Sequence, residues 1–176
     1  MKLTHTKTKN KMKNASIFLL ILICFLTCKQ INISPSIQLD NSKFSAVKNS
    51  TETWNAPKPS GSVSKGKKLI NVFGTKSLNE YIVIRFKYDE IENLKSIKFI
   101  DSELDYLVGG DVLVNSYVSD TTDKSNNAQI TEIDINKKRI TGNFNVKLIR
   151  DKHWIGKRDT VNFTCGQFVV YYVDYP

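Results

Sequence analysis

The residues that could form a nucleophilic site are a single cysteine and a single histidine in the C-terminal half, Cys165 and His153. A thiol beside an imidazole can begin covalent catalysis, but it also needs an orienting group and donors for an oxyanion. No motif supplies either of these. We expect Cys165 to be a buried, unreactive filler at a strand end, because free cysteines are among the most buried residues. The pair also supplies too few ligands for zinc.

A second candidate is the alternating row Asp101, Glu103 and Asp105. On a β-strand this spacing places all three side chains on one face. Such carboxylates could serve a glycosidase or bind calcium weakly, but a solvated strand edge explains them more simply. We therefore predict no enzyme, and no catalytic, cofactor-binding or metal-binding residue. The alternative that stays open is a small envelope hydrolase using Cys165 and His153, or these three carboxylates.

Aromatic side chains near the C-terminus could form a binding surface for a carbohydrate or a protein. The candidates are Trp154, Tyr171, Tyr172 and Tyr175. In the simpler interpretation Tyr172 faces the core, while Tyr171 and Tyr175 cover the opposite face of the same strand. We predict a binding or structural module, with a protein or carbohydrate ligand.

The positive charge is unevenly distributed along the chain. The net charge is +9, but residues 1–27 hold five lysines and no acid, which leaves 21 basic and 17 acidic residues from Cys28 onward. A nucleic-acid-binding domain carries its basic residues as a stripe on the folded part and uses arginine to grip phosphate. Only four residues are arginine. We therefore expect no nucleic-acid partner.

The N-terminus has the pattern of an export signal. Residues 17–26 form an uninterrupted apolar run. As a helix this run would reach about 15 Å, which is half of a bilayer core of about 30 Å. Lysines precede it and a polar segment follows, as in a signal peptide. Translation begins either at Met1 or, with a shorter signal, at Met12.

The apolar run ends at a cysteine. Phe25-Leu26-Thr27-Cys28 resembles the bacterial lipobox, in which signal peptidase II cleaves before a cysteine that carries diacylglycerol. This resemblance predicts a signal peptide over 1–27, lipidation of Cys28 and a lipid-anchored flexible tether over 28–43. The expected location is the cell envelope, at the outer membrane. The alternative is a secreted protein whose Cys28 is unmodified.

Alternation with period two dominates the rest of the chain. In 81–88 and in 139–149, apolar and polar residues alternate, which is typical of antiparallel strands with one wet face. We predict a single all-β domain over 44–176, either an antiparallel β-sandwich or a small barrel-like meander. Residues 128–134 and 139–149 should form a hairpin. Further strands are expected at 68–73, 111–118, 160–164 and 168–174.

Three short motifs occur in order along this domain. The first motif combines F-x-A at Phe44 with W-x-A at Trp54. The second combines I-D with I-x-G-x-F between Ile130 and Phe144. The third is Phe163-Thr-Cys-Gly-Gln-Phe168. Together they resemble an uncharacterised family of all-β lipoproteins of Bacteroidota. The resemblance implies export and a β-rich domain, and it implies no catalytic residue. Ser50 and Cys165 depart from the family pattern.

Three motif residues have structural interpretations of their own. Gly142 lies within a strand, which indicates a β-bulge or a close approach of another group. Gly166 is expected to adopt positive φ in a tight turn. Trp54 is expected to close one end of the core rather than to stack on a ligand.

Overall fold

The computed structural model describes residues 41–120, 122–154 and 159–176. The expected signal peptide, Cys28 and most of the expected tether lie outside these residues. Within the described ranges, no helix is long and apolar enough to cross a membrane.

The prediction of an all-β fold is confirmed. The described residues contain ten strands and one short 3-10 turn at Leu94–Ser96. The strands are β1 (Lys43–Lys48), β2 (Glu52–Asn55), β3 (Ser60–Ser64), β4 (Leu69–Ser77), β5 (Glu80–Lys87), β6 (Lys98–Val108), β7 (Val112–Ser119), β8 (Asn127–Asp134), β9 (Arg139–Arg150) and β10 (Thr160–Tyr175).

All the strands belong to one sheet, in the order β2-β1-β10-β3-β4-β5-β6-β7-β9-β8. Because β9 also pairs with β10, the strands from β10 through β3 to β7 and β9 close into a ring. Of the two predicted architectures, the barrel-like one fits this closure. Strands β1, β2 and β8 extend the ring.

The sheet is mixed rather than purely antiparallel. The end of β10 runs parallel to β3, with Tyr172 opposite Gly61 and Tyr175 opposite Ser64. Period-two alternation fixes which side chains share a face, but it does not fix the direction of a neighbouring strand. This pair therefore could not be predicted from the pattern.

The inside of the ring is filled by side chains. Its largest fully buried members are aromatic, namely Trp54, Phe44, Phe86, Phe144, Phe163 and Phe168. The ring centroids of Phe44 and Phe144 lie 5.0 Å apart, and those of Trp54 and Phe163 lie 5.5 Å apart. Trp54 thus belongs to the core, as predicted.

Two glycines allow this aromatic packing. A Cβ at Gly142 would overlap the Phe168 ring and the backbone oxygen of Gln129, which confirms the predicted close approach. A Cβ at Gly166 would overlap the Phe144 ring. The expected positive φ at Gly166 is wrong, because that conformation belongs to Cys165 (φ 52°).

Strand β10 corrects a second expectation, that a turn separates two short strands near residue 166. The strand is continuous from Thr160 to Tyr175, with a register shift against β9 between Phe163 and Gly166. The extra residue forms a β-bulge, which bends the strand without ending it.

Candidate functional site

The structure separates the cysteine and histidine that could have formed a nucleophilic pair. The Cys165 backbone N–H donates to Asn145 Oδ1 at 2.8 Å, which places Cys165 beside the middle of β9. His153 lies beyond the end of β9, and its Nδ1 is 2.6 Å from Asp151 Oδ1. The five residue-to-residue steps from Asn145 to Arg150 span about 17 Å of strand. No contact among the described residues joins the thiol to the imidazole.

The expected burial of Cys165 is wrong, since its side chain is exposed. The bulge in β10 explains the difference. Phe163 and Gly166 both face the core, so the two residues between them both point outward. The sequence contained one indication of the bulge. Phe163 and Phe168 are five residues apart, and a strand can place two residues at an odd separation on the same face only if it contains a bulge.

The carboxylate row lies on one face of β6, as predicted, but it is engaged by arginine. Arg85 on β5 donates from Nη1 to Asp101 Oδ1 at 2.8 Å and from Nη2 to Glu103 Oε2 at 2.5 Å. Burial alone would lower the pKa of Arg85, but these hydrogen bonds raise it above its ordinary value. Asp101 and Glu103 thus neutralise the positive charge of Arg85 on the surface of the sheet.

Asp105 has a different environment from the other two carboxylates. It is buried, and Tyr81 Oη donates to its Oδ2 at 2.5 Å. Burial and this hydrogen bond raise the pKa of Tyr81 to about 12. The second oxygen of Asp105 has no hydrogen-bond partner. Across the described residues, no three His, Cys, Asp or Glu side chains are grouped as metal ligands.

A buried ion pair ties the outer strands β1 and β2 to the ring. Lys48 Nζ donates to Glu80 Oε1 at 2.7 Å and to Tyr106 Oη at 2.9 Å, and Trp54 Nε1 donates to the same Glu80 oxygen at 2.9 Å. Burial would lower the pKa of Lys48, but the bonds to Glu80 and Tyr106 raise it. The chain's own side chains satisfy these groups, so the cluster has a structural role.

Sequence reasoning missed this cluster, although the signal was present. Phe44, Ala46 and Lys48 alternate along β1, and all three are buried. A lysine that shares the face of two core residues needs a partner, because an unpaired buried charge is costly. Glu80 is that partner.

The C-terminal aromatic residues do not form one platform. Phe168, Val170 and Tyr172 are buried, while Tyr171 and Tyr175 are exposed, as the simpler interpretation predicted. Trp154 lies in the loop before β10, and Tyr175 lies at the far end of that strand. The sixteen-residue length of β10 therefore lies between them.

Apolar side chains are concentrated at one end of the ring. There the β6–β7 hairpin turns through Gly109 and Gly110, both with positive φ, and the Leu107 N–H donates to the Asn79 oxygen at 2.8 Å. This bond holds the hairpin beside the β4–β5 turn. We call the exposed apolar residues at the end of this hairpin and in the β4–β5 turn the apolar tip: Leu78, Val108, Val112, Leu113 and Val114.

At the opposite end, five exposed lysines come together. Three belong to the β3–β4 turn, and the others are the last residue of β5 and the first of β6. We call this group the lysine corner: Lys65, Lys67, Lys68, Lys87 and Lys98. The run of lysines in the turn was visible in the sequence, but Lys87 and Lys98 join it only through strand pairing.

Comparisons of the chain with protein-family models, with curated proteins and with solved structures gave no match. The resemblance to a lipoprotein family of Bacteroidota therefore stays a prediction.

Proposed function

We propose that this chain is an exported, lipid-anchored protein of the cell envelope, held at the outer membrane, whose β domain is a non-catalytic binding or structural module. The observation that carries the proposal is the filled interior of the ring. Aromatic and aliphatic side chains occupy the space in which a closed sheet could hold a small ligand. Contacts with other molecules must then be made by the outer surface.

The state of the reactive groups supports a module without catalysis. Cys165 and His153 are apart, and Arg85 holds Asp101 and Glu103. A nucleophile needs its base within hydrogen-bond reach. One oxygen of Asp101 and one of Glu103 already accept hydrogen bonds from Arg85. No observation on the described residues favours the envelope hydrolase, which stays the untested alternative.

The anchor is supported by the sequence. Cys28 directly follows the lipobox-like residues Phe25-Leu26-Thr27 and precedes the first described residue, Asn41, by 13 positions. Several acyl chains, at about 0.8 kcal/mol per buried methylene, give a stable attachment where one chain would not.

The anchor is tested by replacing the cysteine in cells that export the protein. Cys28→Ser should abolish fatty-acid labelling and leave the precursor uncleaved by signal peptidase II. Cys24→Ser, inside the apolar run, and Cys165→Ser are the matched controls, and both should be labelled like the wild type. If Cys28→Ser protein is still labelled and still fractionates with membranes, the anchor is assigned to the wrong residue.

A further inference from the structure

The lysine corner places like charges side by side without counter-ions. Lys87 and Lys98 are direct cross-strand partners on the outer face of β5 and β6. Like charges in this position destabilise a sheet. None of the five lysines forms an ion pair with a described residue, although the exposed acids Asp89, Glu90 and Glu92 follow β5 closely. The unbalanced charge is available to an external anion.

An exposed row of aromatic and apolar residues borders the lysine corner. Along β10, Tyr171, Val173 and Tyr175 alternate onto the outer face, with 36%, 53% and 55% of their surface exposed. The Lys65 N–H donates to the Tyr175 backbone oxygen at 3.1 Å, so the row meets the β3–β4 turn directly. We call these three residues the β10 row.

The register places the two groups on one continuous surface. Tyr175 lies opposite Ser64, Ser64 opposite Leu69, Leu69 opposite Lys87, and Lys87 opposite Lys98. Four steps between strands at about 4.8 Å each follow the curved outer wall of the ring for roughly 20 Å. Tyrosine and valine lie at one end of this arc, and lysine lies at the other.

We propose that the lysine corner and the β10 row form the face with which the domain lies on an anionic phospholipid surface. Lysine suits this partner, because its compact ammonium binds phosphate headgroups without requiring a fixed geometry. Tyrosine is enriched at the boundary between headgroups and acyl chains, where its ring meets apolar atoms and its hydroxyl meets water. The combination has the composition of a membrane-facing surface.

The proposal rests on the proposed lipid anchor, which keeps the domain close to a membrane. Thirteen residues, even fully extended, span at most about 45 Å. A tether of that length raises the local concentration of lipid headgroups around the domain, so that weak contacts become populated. At physiological salt, the attraction between the lysines and the anionic headgroups acts over about 8 Å.

The experiment uses the full lipidated chain, reconstituted into vesicles of phosphatidylcholine alone or of phosphatidylcholine mixed with phosphatidylglycerol. Lysine acetylation by a water-soluble reagent is then measured for each site by mass spectrometry. On the anionic vesicles, the lysines of the corner should react several-fold more slowly than on neutral vesicles. Lys124 and Lys152, which are exposed elsewhere, should react equally on both. High salt should remove the protection.

Charge reversal supplies the matched variants. Lys87→Glu with Lys98→Glu should abolish the protection of Lys65, Lys67 and Lys68, whereas Lys124→Glu should leave it intact. If the protein floats with both kinds of vesicle and the corner reacts equally on both, the inference is wrong and the anchor stands. If it floats with neither, the anchor fails and the inference fails with it. Protection by soluble dextran sulfate but not by anionic vesicles would also overturn the inference, in favour of a polyanionic glycan.

Discussion

Cys165 is turned outward by a β-bulge, and its backbone adopts a left-handed φ of 52° that most side chains avoid. The bulge exists because the core takes both Phe163 and Phe168 from one strand. Packing two aromatic rings thus decides the exposure of a residue that touches neither the core nor a partner thiol.

The exposure of Cys165 predicts fast modification of the folded protein. The peptide containing Cys165 should be labelled by maleimide at neutral pH without denaturant, because accessible thiols react directly. Adding denaturant should change the labelling rate little. Labelling that requires unfolding would contradict the outward orientation of this side chain.

Tyr81 should lose its hydroxyl proton at a higher pH than an ordinary tyrosine. In the folded protein its pKa is raised from 10.0 to about 12, by burial and by its hydrogen bond to Asp105. Since the unfolded chain loses this proton first, the stabilisation is complete below about pH 10 and is lost as the pH rises from 10 to 12. Tyr88, Tyr106 and Tyr172 also have raised pKa values, so the late part of the tyrosinate absorbance should shrink in Tyr81→Phe without disappearing. Complete ionisation of all tyrosines by pH 11 would refute the assignment.

At the scale of elements, the pairing of β9 with β10 depends on glycine. Gly166→Ala would push a methyl group into the Phe144 ring, and such overpacking costs about 1–3 kcal/mol. Gly66→Ala is the matched control, because its Cβ would lie 3.5 Å from the nearest atom of Pro176. Denaturant midpoints should fall for the first variant and stay nearly constant for the second. Equal midpoints would mean that Phe144 does not cover Gly166.

The attachment of β1 and β2 to the ring should depend on the buried ion pair. Lys48→Met leaves the Glu80 carboxylate without its cation, and breaking a buried pair costs about 3–5 kcal/mol. Lys138→Met breaks an exposed pair with Asp174, where the expected loss is about 0–1 kcal/mol. Both losses are measured as the change in the free energy of unfolding of each variant relative to the wild type. Equal losses would show that the Lys48–Glu80 pair is solvated.

Strand content could be predicted from the sequence better than strand partners. Alternation in 81–88 and 139–149 identified β5 and β9 and the faces that they bury. It could not reveal the parallel contact between β10 and β3, because a parallel partner leaves the alternation unchanged. The lysine corner escaped prediction for a related reason: Lys87 and Lys98 are 11 residues apart in the chain and meet only through the β5–β6 register.

At the scale of the molecule, the two ends of the ring differ. One end carries the apolar tip, and the other carries the lysine corner beside the β10 row. Buried aromatic and aliphatic side chains fill the interior between them. A tether at its N-terminus would allow the charged end to contact a membrane while the apolar tip stays available.

The central claim, a β module anchored by lipid at Cys28, is tested most directly by the mass of the N-terminal peptide of the mature protein, purified from the membrane fraction. The account predicts a chain that begins at Cys28, with a diacylglycerol linked to its sulfur through a thioether. A mature N-terminus at any other residue, or a Cys28 that carries a free thiol, would contradict it.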